Sequence, residues 1–89
     1  MPKYQATRDE VYLAIDGERD YQSKWDLEES QGQHSVAEFI VYMQAYLNKA
    51  IEAVSFSADP AASQAALHVI RKVTALGVAC MEQNGAPVR

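Results

Sequence analysis

Apolar residues recur along this chain at helical spacing, and two stretches carry the pattern without a break. Val36, Ile40, Met43, Leu47, Ala50 and Val54 alternate by four and three, which makes one seam along an α-helix. Phe39, Tyr42 and Tyr46 lie beside that seam and widen its face. The same rhythm returns in Ala62, Ala66, Val69, Val73, Leu76 and Cys80. A second row there, Leu67, Ile70, Gly77, Val78 and Met81, covers much of the remaining circumference. No stretch alternates apolar and polar residues as a strand does, so the pattern predicts an all-α fold.

Polar residues set the ends of these elements. Thr7 followed by Glu10 is a capping box, and it predicts a first helix from about Arg8 to about Trp25. Gly17 weakens that helix by roughly 1 kcal/mol relative to Ala. Glu28 to His34 reads as a polar loop. Ser35 and Glu38 form a second capping box, opening a helix over about 36–57. Asp59-Pro60 places an N-cap before a proline at the first helical position, and Asn84-Gly85 stops a third helix over about 60–83. The last two helices are expected to form an antiparallel hairpin with the first packed across it, in one domain over residues 1–89. The third helix carries more apolar surface than two neighbours can cover. A homo-oligomer sharing one helical bundle is therefore expected.

Composition narrows the function classes. A chain of 89 residues builds a thin core alone, burying roughly 60–65% of its unfolded surface. The single cysteine, Cys80, excludes an internal disulfide and a Cys-based zinc site, and it reads as a small core hydrophobe. Arg71 and Lys72 interrupt the only long apolar run, so a membrane span is not expected and the cytoplasm is the expected location. Residues 1–33 hold four basic and eight acidic side chains, and so carry the whole net charge of −4. The remainder is balanced, with no basic stripe of the kind that tracks a nucleic-acid duplex.

The candidate chemistry lies in the third helix. Arg71 and Lys72 sit among apolar residues, where cations need a carboxylate or an anionic ligand. They either anchor a phosphate or pair with Glu18, Glu38 or Glu52. His68 lies one turn before Lys72 and reads first as a hydrogen-bonded structural residue. Thr74 reads first as bonded to its own helix backbone. Arg19, Tyr21, Gln22 and Trp25 recur near the end of the first helix, where they either fix it against the hairpin or read a base or ribose.

The run Glu18-Arg19-Asp20-Tyr21-Gln22-Ser23-Lys24-Trp25 resembles the opening of phage-encoded relatives of the MazG-like nucleotide pyrophosphatases. The layout from His34 to Phe39 and from Val69 to Glu82 is similar too, and the ending Ala79 to Arg89 resembles that of small phage proteins. The resemblance implies an all-α oligomer whose relatives hold magnesium on two groups of helical carboxylates. This chain departs there. Tyr42 to Ile51 and Leu67 to Met81 contain no acidic residue, and Ala45, Tyr46, Lys49, Val69 and Lys72 fall where the carboxylates belong.

Lys49, Arg71 and Lys72 thus reverse the charge of a phosphate-handling site, with Tyr21, Trp25, Tyr42 and Tyr46 able to stack on a base. The reading that follows is a non-catalytic nucleotide-binding phage protein, needing no cofactor, that sequesters a nucleotide immune signal such as a cyclic nucleotide. Two further readings stay open. One is a divergent pyrophosphatase using Glu18, Glu38 or Glu52 as metal ligands. The other is an adaptor that binds a protein through its apolar third helix.

Overall fold

Three helices and no strand make up the described residues of the computed structural model, which are 4–29, 33–55 and 58–89, with the side chains of residues 25–29 left outside. They are α1 (Arg8–Glu29), α2 (Val36–Ser55) and α3 (Pro60–Asn84). Both capping boxes close reciprocally. Thr7 N donates to Glu10 Oε1 at 3.0 Å and Glu10 N to Thr7 Oγ1 at 3.2 Å. Ser35 N donates to Glu38 Oε1 at 3.0 Å and Glu38 N to Ser35 Oγ at 3.1 Å. Asp59 accepts from Ala61 N at 2.9 Å, and Gly85, at φ 113°, returns its N–H to Met81 O. That φ favours a residue without a Cβ.

Helix α1 runs to Glu29, past the expected end near Trp25. No Gly or Pro stands between residues 25 and 29, so nothing there ends the helix. The expected end of α2 at Ser57 lies outside the described residues.

Helix α3 is the centre of the molecule: α2 and α1 both pack against it, and among the described residues they do not pack against each other. Helix α1 therefore packs on α3 alone and not across an α2–α3 pair. The reason is visible in α3, whose apolar residues are spread round its circumference and offer a separate side to each neighbour. The start of α2 meets the end of α3, where His34 N donates to Gln83 Oε1 at 2.8 Å and Asn84 Nδ2 donates to His34 O at 3.1 Å. Midway, the Cβ position of Gly77 lies 3.7 Å from Met43 Cε, an ordinary van der Waals separation.

The core is Ile15, Phe39, Ala50, Val73, Ala75 and Ala79. The seam expected along α2 is only partly turned inward. Ala50 is buried and Met43 and Leu47 are half-buried, but Val36, Ile40 and Val54 are exposed. Phe39, beside the seam, is the side chain that α2 buries most deeply. A large aromatic removes more apolar area from water than a valine does, and this turns the helix toward its aromatic edge.

Candidate functional site

Two concave regions flank α3. The first is a cleft of about 310 Å³ reached by all three helices, lined by Gln22 of α1, Phe39, Tyr42, Ala45 and Tyr46 of α2, Leu76 and Ala79 of α3, and His34. Its size suits a small planar molecule. Helical spacing puts Phe39, Tyr42 and Tyr46 on one side of α2. His34 stands edge-on to both Phe39 and Tyr42, with centroids 5.8 and 5.4 Å away and interplanar angles of 89° and 88°. Its backbone is held at both polar atoms by Gln83 and Asn84, so the ring is fixed relative to α3.

Gln22 is the polar floor of this cleft. Its Nε2 donates to the Lys72 carbonyl at 3.2 Å, while its Oε1 is enclosed and has no hydrogen-bond partner among the described residues. An enclosed amide oxygen left unpaired costs about 1–3 kcal/mol. Lys49 Nζ lies 5.4 Å from the centroid of the Tyr46 ring, a cation–π arrangement at the rim. Near the mouth, Glu38 Oε2 is 3.4 Å from His34 Nδ1. The Ser35 backbone N–H, followed by His34 and the Ser35 hydroxyl, holds the Glu38 carboxyl below its ordinary value.

The second region is an apolar groove of about 340 Å³ between α1 and α3, lined in part by Val11, Ile15, Leu67, Ile70, His68 and Arg71. Here the sequence candidates Arg71, His68 and Thr74 come together, and each is engaged by the protein itself. Arg71 Nε donates to Glu18 Oε1 at 2.8 Å, and Nη1 donates to His68 Nδ1 at 2.6 Å. Thr74 Oγ1 donates to Ile70 O at 2.7 Å. Of the three glutamates weighed as partners of Arg71, the one that reaches it is Glu18, 53 residues earlier in the chain. At the next residue of α1, Arg19 pairs with Glu82 near the end of α3.

The sequence candidates thus separate into two groups. Tyr46 lines the aromatic cleft, Lys49 stands over the Tyr46 ring without lining the cleft, and Lys72 reaches it through its carbonyl bond to Gln22. Arg71, His68 and Thr74 belong to the groove. Arg19 ties α1 to the end of α3, Tyr21 is exposed, and the Trp25 side chain lies outside the described residues. Sequence reading named Tyr42 with Tyr46 as able to stack on a base, and both line the cleft; it did not single out His34 or Phe39. The signal for Phe39 was its spacing with Tyr42 and Tyr46; nothing local marked His34.

Among the described residues, no three His, Cys, Asp or Glu side chains converge to hold a metal ion. No described helix is long and apolar enough to cross a membrane. No family model, no curated protein and no solved structure matches this chain.

Proposed function

We propose that this chain is a non-catalytic binder of a nucleotide-type molecule, and that the base enters the aromatic cleft. The observation that carries the reading is Gln22: an enclosed carbonyl oxygen without a partner, in a cleft walled by His34, Phe39, Tyr42 and Tyr46. A nucleobase offers ring faces to the aromatics and an N–H to that oxygen. Phosphate charge would then lie toward Lys49 and Lys72. Lys72 stands one turn before Leu76 on α3, and Lys49 one turn after Ala45 on α2. Arg71 has a smaller part in this reading than its place in the sequence implies, because it is already paired with Glu18.

The pyrophosphatase reading draws less support. Of its candidate ligands, Glu18 is held by Arg71 and Glu38 is engaged in its capping box. The proposed biological use is capture of a nucleotide signal by a phage-derived oligomer in the host cytoplasm, built on α2 and α3 as an antiparallel hairpin. That part of the proposal rests on the sequence resemblance.

Calorimetric titration with linear and cyclic nucleotides, with and without magnesium, tests it. Binding is expected without magnesium. Gln22→Met should weaken it about five- to tenfold, the worth of one neutral hydrogen bond, and Lys49→Ala or Lys72→Ala by tenfold or more. No heat with any nucleotide, or binding untouched by Gln22→Met, defeats the reading. Magnesium-dependent release of pyrophosphate would favour the enzyme instead.

A further inference from the structure

We infer that a second copy of this chain docks on the face of the α2–α3 pair turned away from the aromatic cleft. This does not depend on what the cleft binds.

The accessible surface of the single chain is 7167 Å², whereas a compact monomer of 9.9 kDa exposes about 5,200 Å². The radius of gyration is 14.7 Å against about 12 Å for a compact chain of this length. The chain therefore exposes roughly 2,000 Å² more than a self-sufficient domain does. A standard interface takes about 800 Å² from each partner, so this excess is ample for a stable one.

Part of this exposed surface is an apolar stripe on α2 and α3. At about 100° per residue, Val36, Ile40, Leu47, Ile51 and Val54 fall within an arc of about 60° on α2. Leu67, Ile70 and Met81 fall within a similar arc of about 60° on α3. All of these but the half-buried Leu47 are exposed. The two arcs lie on the same side of the helix pair. On α2, Phe39 and Ala50 turn toward α3, with Tyr42 and Tyr46 on the cleft side and the stripe on the other. On α3, Leu76 and Ala79 line the cleft, and the stripe lies on the far side of Gly77, which Met43 of α2 approaches. Leu67 and Ile70 also border the groove beside α1, where His68 and Arg71 bound the face.

The charges avoid it. Glu38, Lys49 and Glu52 on α2, and Arg71, Lys72 and Glu82 on α3, all fall outside the two arcs. Gln44 and Asn48, hydrogen-bonded to each other at 3.0 Å, sit on its flank. An apolar centre depleted of charge and edged by amides is how the core and rim of an interface are built. An uncharged, self-similar face fits a second copy related by a two-fold axis, which needs no complementary charge pattern. Docked there, the second copy leaves the aromatic cleft open.

Sedimentation velocity over a range of micromolar concentrations tests the proposal. The unmodified chain should sediment at twice its 9.9 kDa mass or more. The double variant Ile40→Glu with Ile70→Glu should sediment as one chain with its helical circular dichroism kept, since these side chains are 61% and 45% exposed in the single chain. Val41→Glu, at a position 64% exposed but off the face, should stay assembled. A monomeric unmodified chain, or a double variant that assembles as before, overturns the proposal. If the double variant loses its helical signal, a photo-crosslinking amino acid introduced at Ile51 decides. Chain-to-chain product from that position and not from Val41 supports the face, and the reverse overturns it.

Discussion

The Glu18–Arg71 pair should respond asymmetrically to losing one partner or the other. The Glu18 side chain is 8% exposed and that of Arg71 33%, with Nε to Oε1 at 2.8 Å. Arg71→Met keeps most of the aliphatic stem in the groove but strands a carboxylate that water hardly reaches. Breaking a fully buried pair costs about 3–5 kcal/mol; with one partner a third exposed, about 2–3 kcal/mol is expected here. Glu18→Gln leaves an amide oxygen that still accepts from Arg71, while the guanidinium keeps His68 and water, so its cost should be about 1 kcal/mol. For a chain of this size 1 kcal/mol is about 5 °C of melting temperature, so the expected losses are about 10–15 °C and about 5 °C. Thermal unfolding at neutral pH, at one fixed protein concentration because assembly shifts the midpoint, measures both. Equal losses, or a larger one for Glu18→Gln, would refute the argument that stranding the carboxylate costs more than stranding the cation. Nucleotide titration of Arg71→Met below its melting range separates this role from ligand binding. Its affinity should stay within about twofold of the parent if Arg71 is committed to Glu18, whereas a directly bound phosphate would cost tenfold or more.

Two glycines should give changes of opposite sign. Nothing lies within 4 Å of a Cβ built at Gly17 in α1, so Gly17→Ala should stabilise the chain by about 1 kcal/mol. Gly85 has a φ of 113°, and Gly85→Ala should destabilise by about 1 kcal/mol; both are read in the same melts. The Glu10 and Glu38 carboxyls are held below their ordinary value of 4.5, chiefly by the Thr7 and Ser35 backbone N–H groups. Because the folded-state values are lowered, the stability they contribute is complete above that ordinary value and is lost as pH falls through the lowered ones. Melting curves of the parent and of Glu10→Gln with Glu38→Gln should therefore converge as pH drops from about 6 to about 3; a gap independent of pH would contradict the assignment.

The helix starts were legible because their signals are local. Thr7, Ser35 and Asp59 each bond a backbone N–H within three residues, a relation that side-chain type and spacing specify completely. The bond from Thr74 to Ile70 is local too, and was readable for the same reason. What Arg71 pairs with was not, since Glu18, Glu38 and Glu52 are chemically equivalent and only the packing of α1 on α3 chooses among them. The rotation of α2 was hidden likewise. A broad apolar face allows several orientations, and the burial of Phe39 selected one that leaves Ile40 and Val54 outside. The cleft needed all three helices, so no single stretch of sequence announced it.

Because α1 and α2 each lean on α3 and not on one another, cooperativity in this chain is unevenly shared. Helix α1 is fastened by polar anchors on successive residues and turns, Glu18 to Arg71, Arg19 to Glu82 and Gln22 to the Lys72 carbonyl. Its release would strip one wall from the aromatic cleft and one from the groove, yet leave every α2–α3 separation as it was. The α2–α3 pair is then a foundation and α1 a latch, the arrangement from which local opening below the global unfolding free energy is expected. On the proposed function, a molecule that filled the cleft and satisfied Gln22 would hold that latch closed, so occupancy and the docking of the N-terminal helix would rise and fall as one equilibrium.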